Sequence, residues 1–121
     1  GVPVSELLPA DVVQRLVDRT RNGGAEIVKL LGTGSAYYAP GACATVMTEA
    51  VLGGTNRVLP CSTWLSGAYG LKDVYLGVPI QLGAQGVTKV IELALSESEK
   101  AMLKASADSV AKGIAEVKSL S

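Results

Sequence analysis

The sequence predicts an α+β domain: an antiparallel three-strand meander packed with helices. Three observations lead there. Apolar residues recur at helical spacing toward both ends of the chain, and a middle stretch changes to runs of β-branched and apolar residues. Only short Gly-rich clusters separate these segments, so one compact unit without an internal linker is expected.

The chain opens on Gly1-Val2-Pro3-Val4-Ser5, read as a short extended piece. It lacks an initiator Met, so a fragment or a processed product is expected. Pro9 suits the first turn of a helix, Asp11 adds favourable charge there, and Val13, Leu16 and Val17 repeat at helical spacing, which predicts a helix over 9–22. Gly23-Gly24 interrupts the pattern before Ile27, Val28, Leu30 and Leu31 resume it. A kinked pair of short helices ending at Gly32 is the expectation.

After Gly32-Thr33-Gly34 a third helix is predicted over 40–52, with an apolar stripe of Cys43, Val46, Met47, Ala50 and Val51 and a stop at Gly53-Gly54. The period then changes. Residues 57–65 and 74–82 read as antiparallel strands joined through Ser66-Gly67-Ala68-Tyr69-Gly70, and 87–95 reads as a third strand at an edge or interface, where Lys89 and Glu92 point to different faces. Ser96 and Glu99 form an S-x-x-E capping box. Behind it Leu103, Ala107, Val110, Ile114 and Val117 mark a C-terminal helix.

Composition narrows the function classes. With 48% apolar residues the chain supports a real core, and a domain of 121 residues still leaves apolar surface for a partner. Eleven basic and eleven acidic residues cancel without any basic block, so neither nucleic acid nor an anionic membrane surface is an expected partner. The longest apolar runs fall short of the roughly 20 residues a bilayer span needs, and the start has neither a basic n-region nor an h-region. A soluble, cytoplasmic protein is expected. Cys43 and Cys61 have no CxxC spacing and no His nearby, so two buried, reduced thiols are expected and no metal site; a redox pair would require the two to lie within disulfide reach.

The most telling absence is histidine, of which there is none. No Ser/His/Asp or Cys/His arrangement can be assembled without that general base, so no catalytic residue is assigned. Asp11, Glu97 and Glu99 suit helix starts, and the other carboxylates read as solvated charge. Gly32-Thr33-Gly34-Ser35-Ala36-Tyr37 is no dinucleotide fingerprint, because Tyr37 stands where a third Gly belongs and a helix precedes it instead of a strand. Two readings remain for it: a helix-to-helix connection using Gly for positive φ, or glycines that let backbone approach a ligand with Ser35 facing it. Arg15, Arg19 and Arg21 read as a solvated helix face, with a subunit contact or an anion site as the alternatives. Tyr37, Tyr38, Trp64 and Tyr69 sit near the Gly-rich turns, where core or interface packing accounts for them.

Four stretches taken together carry a resemblance: Gly1-Val2-Pro3-Val4; Arg19-Thr20-Arg21-Asn22-Gly23-Gly24-Ala25-Glu26-Ile27-Val28; Gly34-Ser35-Ala36-Tyr37-Tyr38-Ala39-Pro40-Gly41; and Tyr69-Gly70-Leu71-Lys72-Asp73-Val74-Tyr75-Leu76-Gly77-Val78-Pro79. Over essentially its whole length the chain resembles the C-terminal part of the lactate/malate dehydrogenases, closest to malate dehydrogenases of the lactate-dehydrogenase-like type. The resemblance implies that residues 1–121 are a partial C-terminal substrate domain, with an N-terminal Rossmann domain that holds most of the NAD absent from this chain. In that family the catalytic His, its orienting Asp and the substrate-holding Arg residues lie upstream of the segment matched here. What carries over is Ser35 and Ala36 against substrate and Pro40 beside the cofactor ring. Lactate-type members have Thr where this chain has Ala36 and a branched apolar residue at Pro40, so malate/oxaloacetate is the implied substrate pair. The implied partners are the missing Rossmann domain and further copies in a homo-oligomer, dimer or tetramer. The chain alone is expected to be inactive; the alternative is a non-enzymatic assembly or binding module derived from the same domain.

Overall fold

The computed structural model describes residues 2–120. Its elements run α1 (Val4–Leu7), α2 (Ala10–Leu31), α3 (Tyr38–Leu52), β1 (Arg57–Ser66), a 3-10 turn (Ala68–Gly70), β2 (Lys72–Gly83), β3 (Gly86–Val90) and α4 (Glu97–Ser119). Two compact units divide the chain, Gly1–Thr45 and Val46–Ser121, the boundary falling within α3.

The second unit holds the core. Its sheet is antiparallel in the order β1-β2-β3, as the predicted meander requires. Burial alternates along β1 and β2, so Cys61, Thr63 and Leu65 share the inner face with their register partners Val78, Leu76 and Val74. Ile80 and Leu82 extend that face, and Ala50 of α3 and Ala107 of α4 complete the buried cluster. Leu103 and Val110, one turn either side of Ala107, pack against it half-buried. Trp64 and Tyr75 oppose each other on the outer face, edge to face with ring centroids 5.2 Å apart.

β3 ends at Val90, five residues short of the predicted end at Leu95, and Pro79 explains the difference. The next rung would pair Ile91 with Pro79. Ile91 N–H reaches the Pro79 carbonyl at 2.8 Å, but Pro79 has no N–H to return, and the Ile91 carbonyl takes the Tyr69 hydroxyl instead at 2.8 Å. Leu93 N–H donates to the same Tyr69 oxygen at 3.0 Å, and Tyr69 N–H donates to the Glu92 carboxylate at 2.6 Å. Tyr69 thus replaces the ladder with a clip that turns residues 91–93 away from the sheet.

The first unit departs further from expectation. Val4–Leu7 forms one helical turn where an extended piece is predicted, closed by Leu8 N–H on the Val4 carbonyl at 3.0 Å. In place of a kinked pair, α2 is one unbroken helix of 22 residues through Gly23-Gly24. It ends at Gly32, which takes the left-handed conformation (φ 76°) and donates its N–H to the Val28 carbonyl, as a C-terminal glycine should. None of the described residues of this unit is buried, so the apolar stripe of α2, including Leu16 and Leu31, stays substantially exposed. α3 starts at Tyr38, two residues earlier than predicted, and stops at Leu52 before Gly53-Gly54 as expected. Of its predicted stripe Ala50 is buried, Val46 and Val51 are half-buried, and Cys43 and Met47 are exposed. The two thiols are free, but only Cys61 is buried, which corrects the expectation for Cys43.

The capping box is complete. Glu99 N–H donates to Ser96 Oγ at 3.3 Å, while Ser96 N–H and its hydroxyl donate to the Glu99 carboxylate at 2.8 and 2.7 Å. Those bonds from the Ser96 side chain and backbone hold the Glu99 carboxyl below its ordinary value. Because the folded pKa is depressed, the stabilisation is present above the ordinary glutamate pKa and is lost as pH falls through the lowered one. Ser96→Ala is expected to cost about 1 kcal/mol in denaturant unfolding at neutral pH. Glu99→Gln should be less stable than the parent at neutral pH, with the gap closing as acid protonates the Glu99 carboxylate below its ordinary range; a gap independent of pH would contradict this reading of the cap.

Candidate functional site

Of the residues singled out for binding, Ser35 and Ala36 lie between α2 and α3, and Pro40 lies in the first turn of α3. The backbone between the two helices is unusual: Gly32, Gly34 and Tyr37 have φ of 76°, 87° and 35°. A non-glycine residue at Tyr37's angle is uncommon, and its neighbours hold it there. Tyr38 N–H bonds the Ala36 carbonyl across Tyr37, and Gly41 N–H reaches the Tyr37 carbonyl at 2.9 Å to begin α3.

Gly34 is required twice over. Its φ favours glycine, and a Cβ placed on it would lie 2.5 Å from Tyr37 Oη and 2.9 Å from the Tyr37 ring, so the exposed phenol would have to swing aside to admit a side chain there. Ala36 is half-buried and faces α2; a Cβ built on Gly24 would sit 4.0 Å from the Ala36 methyl. Ser35 and Pro40 are exposed, the former with no hydrogen-bond partner for its hydroxyl among the described residues, the latter in the first turn of α3. Ser35 and Ala36 therefore share a turn containing left-handed Gly32, Gly34 and Tyr37, and Pro40 follows it at the start of α3.

Beside that turn runs a groove of about 370 Å³ lined by Leu16, Arg19, Thr20, Glu26 and Ala39, with Gly23 as part of its wall. Gly23 leaves open space where a side chain would stand, since no atom lies within 4 Å of a Cβ built there. The arginines of α2 do not form an anion cradle: Arg15 faces Asp11 at 3.8 Å and Arg19 faces Glu26 at 3.2 Å, all on exposed surface. The solvated helix face is the reading these pairs support. Sequence inspection missed the Arg19–Glu26 pair because its spacing of seven is not a usual helical pairing. The doubled glycine between them was the available signal.

A larger cavity, about 500 Å³, lies between the hairpin tip and α4, bordered by Tyr69, Leu71, Glu92, Leu95 and Leu103. Its two lysines are already engaged, Lys100 with Glu97 and Lys104 with Asp108, each at 2.7 Å. Among the described residues no group of three His, Cys, Asp or Glu is placed to hold a metal ion. What the turn after α2 offers chemically is a shaped surface with the Ser35 hydroxyl free on it.

Residues 2–121 match the family described as lactate/malate dehydrogenase, alpha/beta C-terminal domain. Malate dehydrogenase of Roseiflexus sp. is 52% identical over 120 residues, which cover 99% of this chain and 39% of that protein. Malate dehydrogenase of Synechocystis sp. is 54% identical over 110 residues, covering 91% of this chain and 34% of that protein. Among solved structures, malate dehydrogenase from Salinibacter ruber superposes with a TM-score of 0.92 at 48% identity, over 99% of this chain and 39% of that one. Lactate dehydrogenase from Eimeria maxima, solved with NADH and oxamate, superposes with a TM-score of 0.88 at 37% identity, over 96% of this chain and 36% of that one. The chain spans well under half the length of these relatives.

The folded phenol gives the turn a direct test. Gly34→Ala is expected to destabilise by about 1–2 kcal/mol from left-handed backbone alone, and by more because of Tyr37. Adding Tyr37→Ala should recover only the second part, measured by thermal unfolding; full recovery would mean that φ at residue 34 imposes no constraint.

Proposed function

Because the chain belongs to the lactate/malate dehydrogenase family through its alpha/beta C-terminal domain, we propose that it is the substrate-domain part of an NAD-dependent malate dehydrogenase interconverting malate and oxaloacetate. The observation that carries the reading is the turn itself: a free hydroxyl, a small methyl and an exposed proline ring, held by left-handed glycines, in a chain that matches malate dehydrogenases at about half identity. In this reading the sequence ahead of Gly1 supplies a Rossmann domain with a GxGxxG turn and the proton-handling His, for which this chain has no substitute.

The residues present fit part of a nicotinamide coenzyme and not all of it. Pro40 offers an exposed apolar ring without an N–H, suited to lie beside the nicotinamide, whereas the turn after α2 lacks the dinucleotide fingerprint, with a helix before it and Tyr37 in place of the third glycine. NAD, when bound, supplies the hydride acceptor or donor. Ser35 donates its hydroxyl to a substrate carboxylate, and the Ala36 methyl leaves room for the second carboxylate arm that distinguishes oxaloacetate from pyruvate. Orientation of this kind contributes to rate by removing the entropy of bringing reactants together.

The exposed stripe of α2 supports a further part of the proposal. An amphipathic helix of this length with no buried residue needs apolar cover, and the Rossmann domain and other copies of the enzyme, as a dimer or tetramer, provide it. In the full-length protein, Ser35→Ala should raise KM for oxaloacetate about tenfold or more, the worth of a hydrogen bond to a charged group, and leave KM for NADH unchanged. An unchanged oxaloacetate KM removes Ser35 from the site. A protein that assembles but binds neither NAD nor oxaloacetate favours the non-enzymatic module instead.

A further inference from the structure

Gly23-Gly24 is the weak point of α2. Apart from proline, glycine is the least favourable residue in a helix interior, and two in succession predict a bend. The helix nevertheless runs unbroken from Ala10 to Leu31. One interaction spans the pair: Arg19 Nε and Nη2 donate to the two carboxylate oxygens of Glu26 at 3.4 and 3.2 Å, two turns further on. Two contacts, one to each carboxylate oxygen, restrict the ends of the pair more than a single ammonium contact would.

The spanned stretch is also the one that meets the candidate site. Gly24 faces the Ala36 methyl, while Gly23 opens onto the groove. Any hinge at the glycines therefore moves the surface on which Ala36, and with it Ser35, is seated. We propose that Arg19 and Glu26 form a strut that keeps α2 unbent at Gly23-Gly24 and so fixes the Ser35–Ala36 turn. Both are positioning residues and touch neither substrate nor coenzyme. The inference rests on the reading of that turn as the substrate wall.

Four variants of the full-length enzyme test it by steady-state kinetics and by amide hydrogen exchange over residues 23–28. Arg19→Ala and Glu26→Ala should each raise KM for oxaloacetate up to about fivefold, the limit for an exposed pair, with KM for NADH unchanged and exchange accelerated across the glycines. The exchanged pair, Arg19→Glu with Glu26→Arg, should restore both readouts. Gly23→Ala added to Arg19→Ala should restore them as well, because alanine stiffens the helix and meets nothing within 4 Å at that position.

The strut is refuted if Arg19→Ala leaves exchange and KM unchanged while Ser35→Ala raises KM; the substrate-wall reading then survives alone. It is equally refuted if the charge-exchanged double variant is as impaired as either single one, which would give the arginine a direct role. Accelerated exchange in Arg19→Ala with no change of KM in either Arg19→Ala or Ser35→Ala overturns the substrate-wall reading and this inference with it.

Discussion

A sheet with one apolar face must have that face closed, and in this protein the closure is made by Ala107 of α4 and Ala50 of α3 against β1 and β2. Leu103 and Val110 flank Ala107 and Val51 adjoins Ala50 in that closure, and the larger side chains Leu65 and Ile80 fill it from the sheet. The rest of the second unit is arranged around this contact. The capping box fixes where α4 begins, and the Tyr69 clip turns the chain off the sheet before that point.

The first unit follows a different rule. None of its described residues is buried, and its order comes from local devices: the left-handed Gly32 that ends α2, the left-handed Gly34 and Tyr37 in the turn, and side-chain bonds along the helix. Local interactions of this sort contribute little each and do not replace a core. That contrast supports the proposal that the turn bearing Ser35 is one wall of a site completed by further polypeptide.

Where local chemistry and tertiary packing agree, the sequence was legible. The inner face of β1 and β2 follows from period two alone, the capping box from Ser96 and Glu99, and the ends of α2 and α3 from Gly32 and Gly53-Gly54. The errors fall where a distant group overrides a local preference. Residues 91–95 have strand-like composition, yet Pro79 on the neighbouring strand and Tyr69 at the hairpin tip take the backbone groups a longer β3 would use. Gly23-Gly24 predicts a break between two short helices, yet α2 runs through it as one helix, and Arg19 and Glu26 lie on either side of it. Cys43 fits an apolar stripe in sequence but lies on an exposed stretch of α3. For the candidate site, glycine at 32 and 34 was readable from the backbone demand, whereas the roles of Ser35, Ala36 and Pro40 rested on resemblance, because no periodicity marks a residue that faces a ligand.

A chain without histidine that matches part of a dehydrogenase poses one chemical question: whether the proton transfer can be done with what is here. The most direct measurement is NADH oxidation by oxaloacetate, run in parallel on the full-length protein and on a purified sample limited to these 121 residues. Turnover is expected from the former and none from the latter. Robust turnover by the 121-residue sample would contradict this expectation.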